Sequence, residues 1–196
     1  MSDAHLTQMC NEGEVEYGRL HCLRGEYNKE PAGYPYLLSL LYRMGGVNDE
    51  WAPRFNNAVA AATTLVTIGL AATLFQSTFA SVLAGIVMTL LPMHLTWSNT
   101  AAAEPVAALA TGSAILLAVA FARWRSTSML MAAAAMTVFA TTFRPESVLV
   151  VPLVGMAIVL LAPDELRRGR LWVVAAGALL LMVPSVVHLL VVRNEA

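Results

Sequence analysis

VAALATGSAILLAVAFA, residues 106–122, is an uncharged run that is followed at once by Arg123-Trp124-Arg125. A helix that crosses the hydrocarbon core of a bilayer needs about 20 residues, with a range of roughly 17 to 25. Basic and aromatic residues collect where such a helix leaves the hydrocarbon. This stretch therefore predicts a membrane-spanning helix that ends near Arg123.

Five other apolar runs accompany it along the chain. The six runs cover residues 58–75, 79–95, 106–122, 129–143, 147–162 and 171–192. The fourth and fifth are short for a span, so two thin spans and a hairpin that dips into the bundle are both open. We favour two spans, and the sequence then predicts an all-α, multi-pass bundle of about six transmembrane helices.

The composition agrees with a membrane protein. The 196 residues are 58% hydrophobic and only 13% charged, whereas soluble domains average about 25% charged residues. Residues 1–54 carry 13 of the 25 charged side chains, so the rest of the chain is more apolar still. A soluble domain of this size cannot bury so much apolar surface. The composition excludes a soluble enzyme, a nucleic-acid-binding protein and a disordered chain, and it predicts the lipid bilayer as a partner.

The arginines between the runs predict the orientation in a cell inner or plasma membrane. One group follows the third run and another follows the fifth, so both must lie on one side, which the positive-inside rule makes the cytoplasm. These arginines are Arg123, Arg125, Arg167, Arg168 and Arg170. Residues 1–54, the loop 96–105 and the turn 144–146 are then predicted on the extracytoplasmic side.

Three regions follow from these patterns. Residues 1–32 form a polar extracytoplasmic segment, residues 33–46 an interfacial amphipathic helix, and residues 58–192 the transmembrane bundle. The second region has an apolar face that includes Leu37 and Leu41, with Arg43 opposite, and it is too short to span. Cys10 and Cys22 lie in the polar segment at a spacing that fits no metal or redox motif, so a disulfide and two free thiols are both open.

Polar groups at the outer ends of the runs are the candidate functional residues, because such groups are costly in a membrane. Glu104 precedes Pro105 at the start of the third run, where a helix N-terminus also favours a carboxylate for structural reasons alone. Arg144 and Glu146 flank Pro145 in a tight turn, and the alternative there is an exposed ion pair of little value. His94 is a possible hydrogen-bonding partner for a sugar, although such a histidine is more often a packing residue.

Lys29 completes this set, since it lies just before the interfacial helix, where an ammonium group can meet a lipid phosphate. The alternative is that Lys29 is an ordinary charged residue of a solvent-exposed loop. An outward-facing cavity with two acids and two bases beside an interfacial helix suits a substrate with a lipid tail, an anionic phosphate and a polar head.

Three motifs resemble elements of the GT-C class of integral-membrane glycosyltransferases. Residues 29–35, Lys-Glu-Pro-Ala-Gly-Tyr-Pro, resemble the Lys-Pro-Pro/Pro-Gly-Tyr-Pro element that enters the amphipathic helix of that class. Residues 92–105, with Trp97-Ser-Asn and Glu104-Pro105, are similar to its outer loop, and Thr142-Phe-Arg-Pro-Glu-Ser147 resembles its Arg-Pro-Glu turn. The nearest relatives by resemblance are glycosyltransferase family 39, with its protein mannosyltransferase-like and aminoarabinose transferase-like enzymes, and Rgt-like enzymes, over roughly residues 26–190.

The resemblance implies an inverting sugar transfer from a polyprenyl-phosphate carrier, undecaprenyl or dolichyl, to an acceptor glycan, lipid or protein on the extracytoplasmic face. It implies that Lys29 contacts the carrier phosphate, that Arg144 assists it, and that Glu104 is a second acid that holds sugar or acceptor. Asp3 is the best match for the acid that acts as general base. Glu146 and His94 complete the expected donor site. No cofactor is expected, and a divalent metal is left open.

In the family the general base follows a first transmembrane helix, and no apolar run precedes Asp3 here. Without that helix the acid would be poorly held, so the activity of the chain alone is left open. Because the sequence also lacks the family's later spans and soluble C-terminal region, we expect it to correspond to the N-terminal portion of such an enzyme. The alternatives are a transporter or lipid-binding module, or an inactive truncated glycosyltransferase. A transporter predicts an inverted repeat, and the sequence shows none.

Overall fold

A computed structural model describes residues 33–46, 48 and 50–194, and it describes their side chains as far as Val187. Every element in these ranges is helical, which confirms the predicted all-α class. The α-helices are α1 (Gly33–Gly45), α2 (Trp51–Phe75), α3 (Thr78–Leu90), α4 (Pro92–Ser98), α5 (Glu104–Trp124), α6 (Thr127–Thr141), α7 (Val150–Leu161) and α8 (Gly169–Asn194). Two short 3-10 helices, Pro145–Leu149 and Pro163–Arg167, flank α7. The predicted site residues Asp3 and Lys29 lie outside the described residues, as do both cysteines.

Helix α5 is the centre of the bundle and contacts α2, α6 and α7. Its buried alanines recur three or four residues apart, as on one face of a helix, and Ala110, Ala114 and Ala118 are almost fully buried. Lipid tails are as apolar as leucine, so helices in a bilayer associate through close packing, which small side chains allow. The alanine-rich sequence of the third run therefore explains why this helix takes the central place.

Helices α2, α5 and the described part of α8 are long and apolar enough to cross a membrane, and α3 with α4 is a fourth candidate if that pair is one span. Residues 79–95 are not one continuous helix, because α3 and α4 are bent by 59° at Leu91, and a single span over this run stays a prediction. The residue before a proline avoids helical backbone, and Leu91, which precedes Pro92, is extended with ψ 116°. Helices α6 and α7 have 15 and 12 residues, so two thin spans there stay a prediction.

The arginine-rich loops meet at one end of the bundle, as their charges predict. Arg125, after α5, forms an ion pair of 2.9 Å with Asp164, after α7. Helix α5 has 21 residues, so at 1.5 Å per residue its other end, Glu104, lies about 30 Å away. Which end faces the cytoplasm stays a prediction.

A buried carboxylate organises the arginine-rich end, and the sequence analysis did not anticipate it. The side chain of Glu165 is fully buried. Its Oε2 accepts hydrogen bonds from Arg170 Nε at 3.0 Å and from Arg170 Nη2 at 2.8 Å, and Arg168 forms an ion pair with it at 2.9 Å. A buried charge is tolerated where it is paired and hydrogen-bonded. Arg168 and Arg170 therefore stabilise the turn before α8, and Arg125 connects that turn to the end of α5.

Helix α1 lies against the opposite end of the bundle, where the sequence places its amphipathic helix. The Gly33 amide donates to the Thr142 carbonyl at 3.0 Å, and a Cβ on Gly33 would lie 2.4 Å from that oxygen. Only glycine permits such a close approach. Tyr34 is buried against Val106 and Phe143. This helix is therefore fastened to the end of the bundle that carries Glu104, while its position at a membrane surface stays a prediction.

Candidate functional site

Glu104 is the first residue of α5, with Pro105 directly behind it. Proline suits the first helical turn because its missing N–H has no partner to lose there, and its φ is already helical. The helix dipole favours a negative charge at this end. The local sequence thus places a carboxylate at the end of the bundle where α5 begins.

Arg144 reaches this carboxylate from the end of α6. Its backbone is extended, with φ −144° and ψ 140°, because the residue before a proline avoids helical backbone. The Nη1 group of Arg144 donates a hydrogen bond to Glu104 Oε1. Its Nε lies 3.4 Å from Glu146 Oε2. Three of the predicted site residues therefore meet, although Glu104 and Arg144 are 40 residues apart in sequence.

The ion pair is partly exposed, which determines how firmly it is held. The side chains of Arg144 and Glu104 are 39% and 28% exposed, and that of Glu146 is 67% exposed. Exposed ion pairs contribute about 0 to 1 kcal/mol. A guanidinium carries N–H donors on three nitrogens; the two carboxylates engage Nη1 and Nε, and no other residue that the structure describes engages Nη2. Arg144 can therefore take an anionic ligand at little cost to the fold.

A cleft of about 450 Å³ opens over this ion pair. Aromatic side chains and the three charged groups share its wall, and the backbone of the loop before α5 closes one side. The lining residues are Tyr34, Trp97, Ala101, Ala102, Ala103, Glu104, Phe143, Arg144, Pro145 and Glu146. Ligand sites typically combine aromatic or apolar walls with a few convergent polar groups in about 300 to 1,000 Å³, and this cleft has both features.

An apolar groove of about 690 Å³ begins at the same ion pair. Arg144 and Glu146 belong to both openings, and the rest of the groove is lined mainly by side chains of α2, α5 and the segment 147–153. Two of its three threonines offer little polarity, because Thr63 donates to Val59 O and Thr67 donates to Thr63 O, each at 2.9 Å. The guanidinium of Arg144 therefore lies where a polar cleft meets an apolar groove.

Tyr34 lines the cleft but is not among the site residues that the sequence predicts. Burial raises the pKa of its hydroxyl above the ordinary value of 10.0, and the hydrogen bond from Asn56 offsets part of that rise. The hydroxyl is therefore neutral at physiological pH. The sequence signal for Tyr34 was its place within the Gly33-Tyr34-Pro35 motif.

The remaining predicted residues have different positions. His94 lies half-buried on α4 and lines neither the cleft nor the groove. Lys29 lies outside the described residues. Among the described residues, no group of three or more His, Cys, Asp or Glu side chains is placed to hold a metal ion.

The sequence model of one family, dolichyl-phosphate-mannose-protein mannosyltransferase, matches residues 29–188. The chain belongs to this family. The match begins at Lys29 and includes the Glu104–Arg144 pair, so the motif resemblance to GT-C glycosyltransferases is confirmed, whereas Asp3 lies outside it. No curated protein and no solved structure matches the chain significantly. Family membership and the apolar helices place the chain among the membrane glycosyltransferases.

Proposed function

We propose that the chain binds a polyprenyl-phosphate-linked sugar at the cleft and takes part in transfer of that sugar to an acceptor on the extracytoplasmic face. The observation that carries this proposal is the position of Arg144 between the polar cleft and the apolar groove. A lipid-linked sugar has the same order of parts, with a phosphate between a sugar and a hydrocarbon chain.

Each part of the donor has a matching surface. The phosphate accepts hydrogen bonds from Arg144 Nη2, and Lys29 stays a proposed second positive charge on the resemblance alone. The hydrocarbon chain follows the groove between α2 and α5, where the hydroxyls of Thr63 and Thr67 already donate to backbone carbonyls. The sugar occupies the cleft, where the second carboxylate oxygen of Glu104 accepts from its hydroxyls.

The chemistry uses these same groups. The acceptor oxygen forms a bond to the anomeric carbon while the bond from that carbon to the phosphate oxygen breaks, and its electrons leave with the lipid phosphate. Positive groups aimed at the departing phosphate stabilise the charge that develops there. A general base must remove the acceptor proton, and Asp3 stays the proposed base on the resemblance alone.

Donor binding tests the proposal. The full chain in liposomes is titrated with radiolabelled dolichyl-phosphate mannose, and Arg144→Gln is compared with Arg54→Gln. Arg54 is a matched control because it also pairs with a glutamate, Glu50, near the same end of the bundle, and both are exposed. A hydrogen bond to a charged group contributes about 1.5 to 3 kcal/mol, so Arg144→Gln is expected to weaken binding at least tenfold. Arg54→Gln should change it less than twofold.

Two results would contradict the proposal. One is unchanged donor affinity in Arg144→Gln. The other is equal affinity for dolichyl-phosphate mannose and for mannose 1-phosphate, because the groove predicts that the hydrocarbon chain supplies much of the binding.

Sidedness is tested separately in intact cells. Ala103→Cys and Gly169→Cys are placed singly in a cysteine-free chain and treated with a membrane-impermeant thiol reagent. The proposal requires residue 103, beside the cleft, to react and residue 169, at the arginine-rich end, to stay protected. The opposite pattern would place the cleft in the cytoplasm and exclude an extracytoplasmic acceptor.

A further inference from the structure

Asn56 is a fully buried polar residue in the second turn of α2. Buried polar side chains are almost always hydrogen-bonded. The Nδ2 group of Asn56 lies 3.0 Å from the Tyr34 hydroxyl oxygen, 2.6 Å from Thr100 O and 2.9 Å from Ala102 O. One amide therefore joins three segments: α1, α2 and the loop between α4 and α5.

The two carbonyls belong to the backbone that leads directly into Glu104. This loop lies between two helices, so these oxygens have no place in a helical hydrogen-bond ladder. An amide nitrogen has two N–H donors and no net charge, so the two carbonyls and the Tyr34 hydroxyl oxygen share these two hydrogens. Asn56 thus holds the backbone two and four residues before the carboxylate of the cleft.

The contacts of Asn56 also extend through α1 to the backbone before Arg144, and we call this set of contacts the bracket. Tyr34 contacts Asn56, and its neighbour Gly33 donates from its backbone to Thr142 O at 3.0 Å. Thr142 lies two residues before Arg144. The segment Gly33–Tyr34 therefore connects the backbone before the glutamate with the backbone before the arginine.

We propose that Asn56 is a positioning residue that holds Glu104 opposite Arg144 through this bracket. Asn56 does not line the cleft, so it acts without contacting the substrate. The expected effect of Asn56 on sugar binding rests on the proposed function, whereas its hydrogen bonds to the loop do not. Loss of the amide should free the Glu104 side of the site, which faces the sugar, and should leave the phosphate side at Arg144 largely in place.

Asn57 offers a matched control. It is the next residue of α2, and its Nδ2 group donates to Asn99 Oδ1 in the same loop at 3.1 Å, but at an exposed position. Asn57→Leu therefore removes a hydrogen bond to the same loop from the same residue type. Asn56→Leu removes the buried donors, and Asn56→Asp keeps the shape but turns an acceptor toward two carbonyls.

The first measurement is amide hydrogen exchange of the full chain in nanodiscs. We expect exchange of residues 99–105 to rise at least tenfold in Asn56→Leu and Asn56→Asp, and to stay within twofold in Asn57→Leu. Exchange in α6 and α7 should not change, which verifies that the variants are folded. Unchanged exchange of residues 99–105 in both Asn56 variants would overturn the proposal.

The second measurement compares two ligands, dolichyl-phosphate mannose and dolichyl phosphate without sugar. In Asn56→Leu we expect affinity for the first to fall at least fivefold and affinity for the second to stay within twofold. General destabilisation would lower both. If the wild-type chain prefers the sugar-bearing carrier and Asn56→Leu keeps that preference, the positioning role is wrong and the proposed function stands. If the wild-type chain binds neither carrier while exchange responds as expected, the proposed function fails and the hold of Asn56 on the loop is supported.

Discussion

Replacement of Glu165 by glutamine should destabilise the arginine-rich end of the bundle far more than replacement of its neighbour Asp164 by asparagine. Glu165 is fully buried and accepts two hydrogen bonds from Arg170, with a further ion pair to Arg168. The side chain of Asp164 is 58% exposed and pairs with Arg125 at 2.9 Å. The two acids are adjacent in sequence, and they differ in burial and in the number of arginines that each one pairs with.

The expected magnitude follows from these contacts. A hydrogen bond to a charged group contributes about 1.5 to 3 kcal/mol and a neutral one about 0.5 to 1.5 kcal/mol. Glutamine keeps the shape and removes the charge, so the two bonds from Arg170 together lose about 2 to 3 kcal/mol. The side chain of Arg168 is 55% exposed, so water replaces much of its lost partner and this pair adds little; we expect a total loss of about 2 to 3 kcal/mol. For Asp164→Asn the loss should be below about 1 kcal/mol, as for other exposed pairs.

The assay is equilibrium unfolding of the purified protein in mixed micelles by titration with sodium dodecyl sulfate, followed by tryptophan fluorescence. A double-mutant cycle with Arg170→Gln isolates the pair, and the double variant should cost less than the sum of the two single variants. Equal losses for Glu165→Gln and Asp164→Asn, or full additivity in the cycle, would refute the reasoning.

Three further perturbations test the packing and the buried tyrosine. Gly33→Ala places a Cβ 2.4 Å from Thr142 O, so α1 should separate from the bundle and the amides of residues 33–45 should exchange faster. The control is Gly155→Ala, whose Cβ meets nothing within 4 Å. This variant should be neutral or stabilise the protein by up to about 1 kcal/mol. Ala114→Leu overfills a fully buried position on α5 and should cost about 1 to 3 kcal/mol of unfolding free energy; a similar loss for the exposed Ala108→Leu would contradict this. Burial raises the pKa of the Tyr34 hydroxyl above 10.0, so the stability it contributes is present below that pH and lost as the pH rises through the raised value. Unfolding titrations between pH 8 and 11 should show this alkaline loss in wild type and a smaller one in Tyr34→Phe.

The sequence could predict that Glu104, Arg144 and Glu146 lie close together, because each is next to a proline at the end of an apolar run. Pro105 marks the start of a helix and Pro145 marks a turn, and both boundaries fall on the same side of an alternating series of apolar runs. Backbone chemistry that is local in sequence therefore brought these residues to one end. Their hydrogen bond depends on the side-chain reach of Arg144 and required the structure.

Asn56 shows the limit of the same approach. It stands beside Asn57 just before the predicted run at 58, and the sequence does not distinguish the two. The structure buries Asn56 and exposes Asn57, although both contact the loop 99–103, because adjacent residues point in directions about 100° apart around a helix. That choice depends on the rotation of α2 against α5, which no local pattern specifies.

Leu91 shows a second limit. The run 79–95 is uniformly apolar, so hydropathy predicts one span. The bend of 59° arises from backbone restriction by Pro92, which a hydropathy average does not register.

Composition was enough to establish a helical membrane protein, because in lipid every backbone polar group must be satisfied within the chain, and an apolar run of this length does so as a helix. The family motifs were enough to indicate a glycosyltransferase. The partners of each helix were decided by packing, since association in hydrocarbon depends on close contact between small side chains and not on hydropathy. The burial of Glu165, the hydrogen bonds of Asn56 and the contact between Arg144 and Glu104 all depend on that packing, which sets how each helix is rotated against its neighbours.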